Sequence, residues 1–136
     1  MKLGPMTLSD GFLVVDADAT INDIEEHVEK LFFMQRNVNW WIGDLITFGE
    51  ARFGDDIWQA MPMNASHGQM TRSAAQARKY KITERVPGAS WTQHGMVASF
   101  TPALRKAILR QAVDACMDTT EFSNYIKRLS KEPGNA

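Results

Sequence analysis

Residues 55–86 read DDIWQAMPMNASHGQMTRSAAQARKYKITERV, and the organisation of the 136-residue chain turns on them. Ile57, Trp58 and Met61 make a short apolar helix. Pro62 ends it, because the ring removes a backbone donor and restricts the residue before it. Residues 63–70, MNASHGQM, are turn-rich. A longer basic helix then opens with Thr71 as its expected N-cap and runs to Val86, where Pro87 and Gly88 stop it. Short helix, polar turn and basic second helix is the pattern of a helix-turn-helix, whose second helix enters a DNA major groove.

On a helical wheel carried through to Val86, Ala75, Ile82 and Val86 line the side expected to pack on the domain. Ser73, Gln76 and Tyr80 fall opposite, flanked by Arg72 and Lys79 on one edge and Arg78 and Lys81 on the other. Between Thr71 and Val86 five bases face one acid, Glu84. Arg can take guanine, and Gln adenine, through paired hydrogen bonds. Arg72 and Gln76, near the start of the helix, are therefore the candidates for base contact. Lys79, Tyr80 and Lys81 are candidates for phosphates, and Ser73 and Arg78 complete the expected DNA-binding set. The bland reading of the same residues is a solvated basic face.

Outward from this stretch, Thr20 with Asp23 reads as a capping box for a helix from Ile21 to about Arg36. Its apolar stripe is Ile24, Val28, Leu31 and Phe32. Asn37 or Asn39 is expected to cap a second helix, with Trp41, Leu45 and Phe48 on one face and core packing as the role of the tryptophans. Gly43 and Gly49 serve close helix approach there, and Gly54 is a stop. Downstream, Ser90 caps a short helix, Thr101 with Pro102 opens one through Met117, and Thr119 or Thr120 caps the last. Before residue 20, Phe12 to Val15 is one strand or extended arm, without an obvious partner in the chain and open to pairing with a second copy.

Composition places outer limits. Hydrophobic residues make 44% of the chain and charged ones 23%, as in an ordinary globular protein. The single cysteine, Cys116, excludes an internal disulfide and fits a cytoplasmic setting. No run reaches a membrane span or a secretory signal. The net charge of −1 hides a split: residues 1–60 hold four bases against eleven acids, residues 61–136 eleven against five. His27, His67 and His94 are too scattered for a metal motif, and there is no Gly-rich phosphate loop. His67 reads as a turn residue, His94 as a buried hydrogen-bonded one and Cys116 as packed within a helix. No cofactor, metal or enzyme activity is expected.

From Trp58 to Leu129 the order of elements resembles the DNA-binding domain of ParB/KorB-type partition proteins. Val86-Pro87 stands at the family's Leu-Pro pair, and WTQHGMVASF puts His94 at its His position with Gln93 in place of Gly. TPALRKAILRQAVDA and TTEFSNYIKRL follow in family order. The chain departs from it in Arg105, Lys106 and Arg110, which make an acidic helix basic, and in lacking a counterpart of the nucleotide-binding domain. A second resemblance joins NWWIGDLITFGEARFGDDIWQAMP to a WWxGDxxxYGExxYG stretch of small plasmid- and phage-type proteins.

The expected fold is therefore all-α: a multi-helix domain containing a helix-turn-helix, with an N-terminal arm over residues 1–19, the helical domain over 20–130 and a flexible tail over 131–136. The resemblance implies a stand-alone, sequence-specific reader of double-stranded DNA. It would act as a homodimer, in plasmid- or phage-type transcription regulation or as an accessory partition factor. The competing expectation is a module that binds and interferes with a host protein.

Overall fold

The computed structural model describes residues 1–131. They divide into two compact units, Met1–Asn37 and the chain from Val38 onward.

The first unit starts with a three-stranded antiparallel meander: β1 (Lys2–Leu3), β2 (Met6–Ser9) and β3 (Phe12–Val15), in that spatial order. The fold is thus mostly helical but not purely all-α. The apolar run Phe12–Val15, read above as a strand without a partner, pairs along its whole length with β2 in the register Ser9 to Phe12 and Met6 to Val15. Asp10-Gly11 supplies the tight turn, with Gly11 at φ +86°. The signal was in MTLS, which alternates apolar and polar between Gly4-Pro5 and Asp10-Gly11.

Helix α1 (Ile21–Phe53) is continuous where two helices were expected. Its start is the capping box foreseen: Asp23 N–H donates to Thr20 Oγ1 (3.1 Å), and Thr20 N–H donates to Asp23 Oδ2 (2.9 Å). The bonds from Thr20 hold the Asp23 carboxyl below the usual range. No break follows at Asn37, because its side-chain amide donates back to the Phe33 carbonyl one turn earlier (2.8 Å). The other expected cap, Asn39, turns its Oδ1 to the Gln69 amide of α3 (3.0 Å) instead of to a backbone N–H of its own helix.

In the second unit the later half of α1 is followed by α2 (Asp56–Gln59), α3 (His67–Lys79), a 3-10 turn (Ile82–Glu84), α4 (Trp91–Met96), α5 (Pro102–Asp114) and α6 (Thr119–Lys131). Trp40, Tyr80, Val97, Leu109 and Phe122 form the main core. Ile46, Met70 and Ala74 form a smaller one. Trp40 meets Trp91, His94 and Tyr80 edge-on at 4.6, 5.0 and 5.9 Å between ring centroids. The inward positions of α1 are therefore Trp40, Gly43 and Ile46, and the expected face of Trp41, Leu45 and Phe48 points outward, with Leu45 72% exposed.

The glycines do serve close approach. A Cβ at Gly43 would overlap the Ser73 carbonyl and sit 2.7 Å from Ala77 Cβ, so α1 and α3 cross there backbone to backbone. One at Gly49 would sit 2.7 Å from Ile57 of α2. Gly54, at φ +66°, stops α1. Ser90 and Gln93 form a full capping box, and Thr101 with Pro102 opens α5 as expected. That helix ends at Asp114, so Cys116 lies outside it, exposed and at φ +53°. At α6 the reciprocal cap is Asp118 with Glu121 rather than Thr119 or Thr120. The expected tail lies, from residue 132 on, outside the described residues. No helix among the described residues is long and apolar enough to cross a membrane.

Candidate nucleic-acid interface

α3 begins four residues before the expected cap. Ser66 is the N-cap, its Oγ accepting from Gln69 N–H (3.1 Å), while Thr71 sits inside the helix and donates its hydroxyl to the His67 carbonyl (2.9 Å). The helix also ends early, at Lys79, and the chain runs extended through Tyr80. Ile82 is therefore not a helical position of α3, and it lies open at 78% exposure. Carrying the wheel through Ile82 and Val86 rotated it and chose the wrong inner face.

The true inner face is Met70, Ser73, Ala74 and Ala77, at helical spacing and all buried. The small side chains of Ala74 and Ala77 let α3 lie against α1. Ser73 and Tyr80, both assigned to the exposed face, are buried and are corrected accordingly. Tyr80 donates its hydroxyl to the His94 carbonyl (2.6 Å) and stacks under the Arg105 guanidinium at 4.2 Å. Burial pushes its phenol up, against the pull of Arg105.

The other predicted residues separate by what holds them. Gln76 donates one amide N–H to the Trp91 carbonyl (2.9 Å), which ties α3 to α4 and holds the side chain along that contact rather than free toward a base edge. Arg78 pairs with Glu50 at 2.8 Å. Arg72, Lys79 and Lys81 are exposed, with no ion pair or side-chain hydrogen bond among the described residues. Arg72 extends back over Gly68, where an added Cβ would meet its guanidinium at 3.1 Å.

The resulting outer stripe is Gly68, Arg72, Ala75 and Lys79, spaced i, i+4, i+7 and i+11. Arg72, Ala75, Gln76 and Lys79 form one wall of a shallow groove, and Trp91 and Ala98 form the other. α3 contains no acidic residue. Two bases set among small residues can approach a polyanion closely, with the Arg72 fork able to take two acceptors at once. Gly68 and Ala75 belong to this face, although the sequence places Gly68 in a turn and Ala75 toward the domain. Ser66-x-x-Gln69 is a capping signature that would have moved the start to His67, and Met70, Ala74 and Ala77 would then have fixed the inner face.

Two ion pairs built on well-covered arginines hold the helix in place. Arg85 makes a two-pronged pair with Asp44 (2.7 and 2.8 Å), lies over Trp40 at 4.3 Å and donates to the Ala77 and Tyr80 carbonyls. This gives Asp44 of the WWIGD stretch its role. Arg105 pairs with Glu84 at 2.7 Å and donates to the Lys79 carbonyl at 3.1 Å. His94 Nε2 accepts from Val86 N–H (3.0 Å), so the proton sits on Nδ1, which donates to the Ser90 carbonyl (2.7 Å). Burial pushes His94 below its usual range; Arg85 and Arg105 add to this, and the bond to Ser90 opposes it. Both ring nitrogens are thus engaged. Among the described residues no group of three His, Cys, Asp or Glu could hold a metal.

No family model, curated protein or solved structure matches the chain.

Proposed function

We propose that this chain binds double-stranded DNA sequence-specifically, with α2, its turn and α3 as a helix-turn-helix and the outer stripe of α3 in the major groove. The observation that carries the reading is how the cations are sorted. Arg78, Arg85 and Arg105 are paired with Glu50, Asp44 and Glu84 and serve the fold. Arg72 and Lys79 are left over, on a helix face with no acid, beside Gly68 and Ala75. Arg72 is the base-contact residue of this reading; Lys79 and Lys81 hold phosphates.

The role that fits is a compact plasmid- or phage-type regulator or accessory partition factor in the cytoplasm, resembling ParB/KorB-type proteins in its element order. It acts as a dimer on an inverted repeat, since one short recognition helix gives little affinity alone. Interference with a host protein is the second reading; the apolar groove lined by Leu45, Phe48 and Phe53 favours it. Selection from random duplex DNA separates the two. An enriched motif with binding that falls steeply with salt supports the regulator, and no motif with salt-independent binding overturns it.

A further inference from the structure

The first unit has almost no interior. Within Met1–Asn37 only Met6 and His27 are buried. A polypeptide of this size rarely closes a core without outside help, and a sheet of such short strands is marginal alone. All four side chains of β3 are open, from 64% at Phe12 to 38% at Val15. Leu13 and Val15 line an apolar hollow together with Ile24 and Val28 of α1, which are themselves about half exposed. β3 is also an edge strand, and its outer side makes no hydrogen bond among the described residues. Asp16 N–H bonds toward β2 through the Pro5 carbonyl (2.8 Å). By alternation Val14 and Phe12 do the same, and Leu13 and Val15 turn their backbone groups outward.

We infer that this unit is a dimerisation element, in which β3 of a second copy adds antiparallel to β3 and covers the strip of Ile24, Val28 and Phe32 on α1. Three observations select a second copy as the occupant. An antiparallel edge pairs with itself about a twofold axis, so one surface serves both sides. The edge FLVV carries none of the charges or prolines that natural edges use against pairing. Its flanking Asp16 is neutralised by Lys2 at 3.0 Å. The area also suits a dimer. Phe32 on the strip of α1, 59% exposed, leaves about 120 Å² open at roughly 200 Å² per ring side chain. With Leu13, Val15, Ile24 and Val28 added, this face reaches the few hundred Å² that mark an interaction site, and Phe12 and Val14 add apolar surface on the other face of the same sheet edge.

This surface supplies the dimer that the DNA reading requires, but it is tested without DNA. Sedimentation of the full chain over a range of concentrations should show a species of twice 15.3 kDa. Leu13→Pro removes an outward N–H while leaving the ladder to β2, and Ile24→Lys charges the strip from an exposed helix position. Each should weaken association by about tenfold or more with far-UV helicity unchanged. Leu45→Lys, in the apolar groove of the other unit, should leave the dimer intact. A wild-type monomer at all concentrations overturns the inference. So does a dimer that persists in either β3–α1 variant, or one that only Leu45→Lys breaks.

Discussion

One helix serves two units in opposite ways. Over residues 38–53, α1 buries Trp40, Gly43 and Ile46 against α3 and the core around Tyr80. Over residues 21–37 it buries only His27 and shows Ile24, Val28 and Phe32 to solvent. The charges divide along the same line, three bases against seven acids up to Asn37 and twelve against nine beyond it. Amphipathic spacing alone therefore does not make a core. An apolar stripe is buried only where other elements close over it, and the first unit offers three strands of at most four residues.

The comparison is broken most easily at Tyr80. Tyr80→Ala should cost about 3–5 kcal/mol by emptying the centre of the second unit, seen as a large drop in the chemical denaturation midpoint. A near-neutral result would restore Tyr80 to the surface where the helical wheel put it. Gly43→Val drives a branched side chain into the Ser73 carbonyl and should cost about 1–3 kcal/mol, read from the same curve. By contrast Phe12→Ala, at an open position of the first unit, should change the stability of the dilute monomer by no more than about 0.5 kcal/mol.

A pH titration of stability sharpens the picture further. The folded pKa of His94 lies below the ordinary value of 6.5, so the unfolded chain takes up the proton first as pH falls. The contribution of neutral His94 is complete above about 6.5 and is lost as pH drops from there toward the folded pKa. Protonation at Nε2 would also break the bond from Val86 N–H. Stability followed from pH 7 downward should fall in that window, and His94→Gln should flatten the fall.

Much of this was legible in particular residues. Gly43 and Gly49 announced tight crossings, Ser90 and Thr101-Pro102 announced helix starts, and His94 was read as buried and bonded. The failures share a cause, which is that local signals have two uses. Asn37 can cap a helix or bond back inside one. Ala75 can pack toward the domain or lie open on the outer face of its helix. Ile82 looks like an anchor but stands on a turn after the helix has ended. The candidate site suffered most, because a shifted start and a false anchor rotate every position of α3 together. Arg72, Lys79 and Lys81 remain on the surface; Ser73 and Tyr80 belong to the core, and Gln76 and Arg78 to its fastenings.

The most direct test is an affinity titration of the wild-type chain and its Arg72→Ala and Lys79→Ala variants, on a duplex selected from random DNA and on a scrambled one, at several salt concentrations. Arg72→Ala should lose about 1–3 kcal/mol on the selected duplex and relax the preference for it. Lys79→Ala should weaken both duplexes alike and reduce the salt dependence by about one phosphate contact. Unchanged binding in both variants would contradict the assignment of the outer face of α3 as the surface that meets DNA.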